Sequence, residues 1–152
     1  MKKIVHYLLP VILFVTIGNS AAAQFGTIPS SVTEAFKTRY PAATNVEWQS
    51  KLSSYTVVFL LDSNKHEARY NKKGIWQETE SEVALEELPA EVKDGFDKSK
   101  YATGEWEMEA IHKVEMPDDK THYRIEVAKS DLQKRNLFFN SKGRLLRDKV
   151  TF

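Results

Sequence analysis

Cysteine is absent from all 152 residues. That excludes disulfides, thiolate metal sites, a thiol nucleophile and the lipid-modified cysteine of an exported lipoprotein. Glycine and proline are sparse, at 6 and 5 residues, so neither collagen-like repetition nor a long flexible linker fits. Charge of one sign is also missing: 22 basic side chains stand against 21 acidic ones, which is not the basic excess of a nucleic-acid binder. What is present is 41% hydrophobic, 28% charged and 11% aromatic, the balance of an ordinary folded chain.

The first stretch reads as an address. Lys2 and Lys3 precede an apolar run from Ile4 to Ile17, and Ala21-Ala22-Ala23 supplies the small residues that signal peptidase accepts. Residues 1–23 are therefore expected to be a cleaved signal peptide. The run is about 14 residues, against the roughly 20 needed to span a bilayer, and no later segment is long and apolar enough. The expectation is a periplasmic or secreted protein with no membrane span in the mature chain. Removing Lys2 and Lys3 leaves 20 basic and 21 acidic groups, so long-range electrostatic steering should be weak.

The remainder repeats itself. Ile28-Pro29-Ser30-Ser31-Val32 with Phe36 matches Leu88-Pro89-Ala90-Glu91-Val92 with Phe96 at an offset of 60. Tyr55, Val57 and Phe59 match Tyr123, Ile125 and Val127 at 68, and Asn71 with Lys73-Gly74 matches Asn140 with Lys142-Gly143 at 69. The growing offset places an insertion of about eight residues in the second copy, where loops and hairpin extensions tolerate it. Two units are expected, 27–83 and 87–152.

Each unit opens with a helix signal, an early proline followed by apolar residues at helical spacing. Gly95 weakens the second helix by about 1 kcal/mol relative to alanine. The period then shifts to two. Trp106, Met108, Ala110, His112, Val114 and Met116 alternate with Glu105, Glu107, Glu109, Ile111, Lys113 and Glu115, the pattern of a strand with one face covered. With Pro117 to Lys120 as the loop, Val114 is expected opposite Tyr123 and Lys113 opposite Arg124, which puts His112 on the core side. Asn71-Lys72-Lys73-Gly74 and Asn140-Ser141-Lys142-Gly143 read as hairpin turns, glycine supplying the positive φ.

A signal peptide followed by two copies of a proline-led helix, several strands and an Asn-x-Lys-Gly hairpin resembles the PepSY-like family of exported bacterial proteins, which are similar to the β-lactamase-inhibitor-protein fold. The resemblance covers about residues 27 to 152. It implies an α+β fold of two tandem repeats, each a helix on a four-stranded antiparallel sheet, the sheets side by side as one curved surface with helices on one face. It also implies no enzyme activity and a role in binding or inhibiting other proteins, peptidases among them. The chain lacks the disulfides of the β-lactamase inhibitors, so inhibition of β-lactamase is not carried over.

The histidines have no spacing that suits a shared metal, and no Gly-x-Ser-x-Gly elbow is present; neither metal nor cofactor is expected. Glu105, Glu107 and Glu109 share one strand face at about 6.5–7 Å spacing, within the range of inverting glycosidases. An envelope hydrolase using these acids is the alternative reading, although a wet strand face offers little of the desolvation a general acid requires. The preferred reading is a non-catalytic exported binding module. Its open face should carry Glu47, Glu105, Glu107, Glu109, Lys113, Arg124 and Glu126, with Asp118 and Asp119 on a hairpin loop beside it. Trp76 would anchor the patch if it lies on that side. The expected partner is a protein or peptide, or a further copy of the chain, and not nucleic acid.

Overall fold

Proline begins each helix. The carbonyl of Pro29 accepts hydrogen bonds from the amides of Val32 and Thr33 at 3.0 and 3.2 Å, and that of Pro89 does the same for Val92 and Lys93 at 3.0 and 3.1 Å. From these starts run α1 (Ser30–Arg39) and α2 (Ala90–Asp97). Lys37 and Arg39 lie in the last turn of α1, where cations favour the negative end of the helix dipole. The structure, a computed structural model, describes residues 27–151; the expected signal peptide at 1–23 lies outside them.

Eight strands complete the chain: β1 (Thr44–Ser50), β2 (Ser54–Leu61), β3 (Asn64–Asn71), β4 (Trp76–Glu82), β5 (Glu107–Met116), β6 (Lys120–Ser130), β7 (Gln133–Asn140) and β8 (Leu145–Thr151), with a short 3-10 turn at Leu85–Glu87. They form one antiparallel sheet whose spatial order is the order along the chain. The fold is thus α+β, and what was expected as two adjoining sheets is a single one, joined where β4 pairs with β5 from Thr79–Glu115 to Glu82–His112.

The turns follow from local chemistry. Asp62 and Ser63, at φ of 50° and 67°, make the two-residue β2–β3 turn, as a primed hairpin turn requires. The side-chain oxygen of Asn71 accepts from the amides of Lys73 and Ile75 at 2.9 and 3.0 Å, and that of Asn140 from Lys142 and Arg144 at 3.1 and 2.9 Å. Gly74 and Gly143 carry φ of +82° and +74°. Both turns run directly under a helix: a Cβ at Gly74 would stand 2.7 Å from the Ser31 carbonyl oxygen, and one at Gly143 would overlap that of Glu91.

One cross-strand row fixes which face the helices cover. Phe59, His66, Ser81, Lys113, Tyr123 and Phe139 are successive partners across β2 to β7, so they share a side. On it, Val32 and Phe36 of α1 pack with Tyr55, Val57, Phe59, Ala68 and Tyr70. Leu88 and Val92 pack with Tyr101, Ile111, Tyr123, Ile125, Val127, Leu137 and Phe139. Val32 and Val92 are fully buried, each contributing about 1.5–3 kcal/mol. Trp48 and Trp106 border the two clusters.

The β5–β6 register differs from expectation by one residue. Met116 pairs with Lys120, Val114 with His122, Lys113 with Tyr123 and His112 with Arg124. The connecting turn is three residues, with Asp118 and Asp119 both at positive φ, 61° and 54°. A slip of one residue exchanges the two faces. His112 therefore points to the open side and Lys113 to the helix side, the reverse of the sequence-based reading. A bulge between Met108 and Ala110 absorbs the extra residue, so Met108 and Ile111 both face the core.

Candidate functional site

The face without helices carries a second row: Glu82, His112, Arg124, Phe138 and Arg147 are successive partners from β4 to β8. Arg124 is its centre. Its Nη2 donates to Glu80 at 2.6 Å, and its Nη1 donates to Glu126 and, at 3.5 Å, to Asn136. Only 17% of the Arg124 side chain is exposed. Its Nε is buried without a partner, so two fixed carboxylates carry most of the compensation for a desolvated cation. Nε2 of His112 sits 3.3 Å from Glu126.

Arg124, His112, Glu80 and Glu82 line a depression of about 160 Å³ with Lys65, His66 and Glu67. Burial lowers the pKa of His112, and the positive charge of Arg124 lowers it further, against the opposing pull of Glu126, Glu80 and Glu82. The imidazole is thus neutral at pH 7 and accepts or donates in the plane of the network. Nearby, burial raises the carboxyl pKa of Glu78, with Arg69 at 2.7 Å opposing.

Charge is distributed unevenly over this face. Glu67, Glu78, Glu80 and Glu82 occupy β3 and β4. The far strands present Lys134, Arg147 and Lys149, the latter two with their cations 5.1 and 5.8 Å from the centre of the Phe138 ring. Phe138 and its two cations were missed by sequence reasoning, which followed the glutamates. The signal was available in Phe138-Phe139, two adjacent aromatics that a strand must send to opposite faces.

Of the expected site residues, Glu47, Glu107, Arg124 and Glu126 lie on the open side by register. Glu109 reaches it through the bulge, held by Lys134 at 2.7 Å, and Asp118 and Asp119 form the β5–β6 turn. Glu105 precedes β5 and is held by Lys129 at 2.8 Å. Lys113 is on the helix side, paired with Glu115 at 2.7 Å. Trp76 is also on the helix side: it pairs with Tyr70, donates from Nε1 to Thr79 Oγ1 at 2.8 Å, and lies under the Arg39 guanidinium at 3.4 Å. The premise that would have made it an open-face anchor does not hold.

Glu105 lacks the environment of an acid catalyst. The hydrogen bond and charge of Lys129 lower the pKa of Glu105, whereas a general acid needs its pKa raised. Two roomier recesses are on the covered side and mostly apolar: about 380 Å³ bounded by Leu85, Leu88, Phe96 and Met108, and about 400 Å³ bounded by Phe36, Tyr40, Val46 and Trp48. Among the described residues, no group of three or more histidine and acidic side chains is placed to hold a metal ion, and no helix is long and apolar enough to cross a membrane.

Residues 53–147 match a family model described as "Putative beta-lactamase-inhibitor-like, PepSY-like". Solved structures of similar fold come from several Bacteroides species. One from B. eggerthii, named among "putative periplasmic proteins", is 25% identical with a TM-score of 0.73 over 82% of this chain and 90% of that one. A DUF2874 family protein from B. ovatus is 28% identical, TM-score 0.73, over 82% and 88% of the two chains. A BLIP-like protein from B. fragilis is 27% identical, TM-score 0.71, over 83% and 89%. Among curated proteins, none matches.

Proposed function

The chain belongs to the PepSY-like, β-lactamase-inhibitor-like family, and on that premise we propose that it is a non-catalytic binding module of the bacterial envelope that holds a protein or peptide on its open sheet face. The observation that carries this reading is the Arg124 network: a half-buried lattice of Arg124, Glu80, Glu126 and His112 on a sheet whose other face alone is covered. Such a lattice presents fixed donors and acceptors to a partner, and fixed polar groups give an interface specificity and register.

The proposed contact surface comprises Glu47, Glu67, Glu80, Glu82, Glu107, Glu109, His112, Arg124 and Glu126, with Asp118 and Asp119 at its rim and Phe138 on its basic side. Export to the periplasm is part of the proposal, supported by the leader-like residues 1–23 and the periplasmic description of a structural neighbour. So is a tandem origin, supported by two proline-led helices over two Asn-x-Lys-Gly turns and by one core cluster under each helix.

The test is capture from native envelope with the immobilised chain, comparing Glu82→Lys with Glu107→Lys against a helix-side control, Lys93→Glu. Loss of the captured protein with the first pair and retention with the control is expected. Equal capture by all three variants would remove the open face from the reading.

A further inference from the structure

Because every strand is antiparallel to its neighbour in chain order, the hairpin turns alternate between the two ends of the sheet. The β1–β2, β3–β4, β5–β6 and β7–β8 turns share one end, and the β2–β3 and β6–β7 turns the other. At the first end, the β1–β2 turn carries Lys51 and Leu52, the β3–β4 turn Lys72, Lys73 and Ile75, and the β7–β8 turn Lys142 and Arg144, followed by Leu145 and Leu146; the β5–β6 turn between them carries Asp118, paired with Lys120 at 3.2 Å, and Asp119. Residues 51–53, 72–75 and 141–144 thus hold five cations and no carboxylate. None of these cations is in an ion pair among the described residues. Apolar side chains stand beside them in water: Leu52 is 100% exposed and Ile75 59%. The opposite end differs in having no cation on its hairpin turns, which are Asp62-Ser63 and Asp131-Leu132.

We infer that this end of the sheet docks on an anionic lipid surface, with Leu52 and Ile75 entering the headgroup boundary and Lys51, Lys72, Lys73, Lys142 and Arg144 lying among lipid phosphates. Three observations favour lipid over a folded partner. Five cations without a carboxylate partner, spread over three of the four turns, outnumber the two aspartates of the fourth, which suits a diffuse negative surface. The exposed apolar side chains sit at protruding tips, and none of Leu52, Ile75, Lys72 or Lys142 lines a described recess; the recess of about 270 Å³ at this end opens instead beside the β5–β6 turn, between Trp76, Glu115 and Asp119, so the basic tips themselves offer a folded partner no pocket to fill. The chain also enters the described fold here, since α1 begins above the β3–β4 turn. Docked in this way, the sheet stands on its hairpin tips and leaves the Arg124 face accessible from the side. The proposal is independent of what that face binds.

The experiment is co-sedimentation of the chain from Gln24 onward, which retains the whole described fold, with vesicles of phosphatidylglycerol mixed with phosphatidylcholine and with vesicles of phosphatidylcholine alone. Binding to the anionic vesicles only, weakened by salt, is expected. Lys72→Glu with Lys73→Glu, and separately Leu52→Ser, each lower partitioning by about tenfold or more, whereas Leu132→Ser, at the opposite end and 88% exposed, leaves it unchanged. All four positions are at exposed tips, so unaltered thermal melting verifies folding. Absence of wild-type binding to anionic vesicles at low salt, an equal loss in Leu132→Ser, or capture of a soluble acidic peptide by the same lysines without vesicle binding would overturn the inference.

Discussion

Gly95 in α2 lies against the backbone of Gly143 in the β7–β8 turn, so closely that a Cβ at Gly95 would overlap the Gly143 carbonyl. Helix propensity alone makes Gly95→Ala stabilising by about 1 kcal/mol. The contact reverses the sign: the substitution should destabilise by about 1–3 kcal/mol, the cost of forcing backbone apart in a packed interior. Chemical denaturation decides between the two. At the matching position of α1 stands Ala35, packed against the first core, and Ala35→Gly should cost roughly 1 kcal/mol.

His112 reports on Arg124. Burial and the Arg124 charge hold its pKa below 6.5, while Glu126, Glu80 and Glu82 pull upward. In Arg124→Met the downward charge is gone and the carboxylates remain, so the His112 pKa should rise, read by NMR titration of the imidazole. An unchanged value would mean that the guanidinium is not where the network places it.

Acid should weaken the fold in two windows. His66, His112 and His122 all have lowered pKa values, burial being the first cause in each. A lowered folded value means the stability they contribute is complete above 6.5 and is lost as pH falls through the folded values. The melting temperature should therefore decline on acidification from pH 7, and His112→Gln should flatten that slope.

The second window belongs to Asp148. Burial alone would raise its pKa, but the hydrogen bond from Tyr101 and the hydrogen bond and charge of Arg135 outweigh it and bring the value below 3.8. Its contribution is present above 3.8 and lost as pH falls through the lower folded value. Tyr101 Oη donates to Asp148 at 2.5 Å and Arg135 Nε at 2.5 Å, tying the loop after α2 to the last strand. Asp148→Asn should cost about 1–2 kcal/mol after discounting for partial exposure, and should abolish the stability change below pH 4 that this group supplies.

The turns were legible because asparagine and glycine have few other uses: Asn71, Gly74, Asn140 and Gly143 each do in the structure what their chemistry suggests. The buried aromatics were legible from alternation. The faces of β5 were not, because register depends on turn length, and nothing in Pro117-Asp118-Asp119-Lys120 distinguishes a three-residue turn from a four-residue one until both aspartates are seen at positive φ. One signal was present. Ile111 interrupts the glutamate side of the alternation, and a fully apolar residue on a wet face marks a change of phase, which the bulge at Glu109 supplies. Arg124 was assigned to the correct face for the wrong reason, since its cross-strand partner is His112 and not Lys113. The lattice around it joins β4, β5, β6 and β7, and such long-range proximity leaves no trace in local spacing.

The β4–β5 seam has one further consequence. Every other pair of neighbouring strands is joined by a tight hairpin, whereas these two are separated by residues 83–106, and their paired register spans only Thr79–Glu115 to Glu82–His112. If the seam opens, each half keeps its helix and its own core but bares a raw strand edge that fits the other half of any sister molecule. Reciprocal exchange of halves, and linear concatemers when the exchange fails to close, are therefore the misassembly expected of this architecture. The short seam, stitched by the Arg124–Glu80 ion pair, is what opposes that outcome.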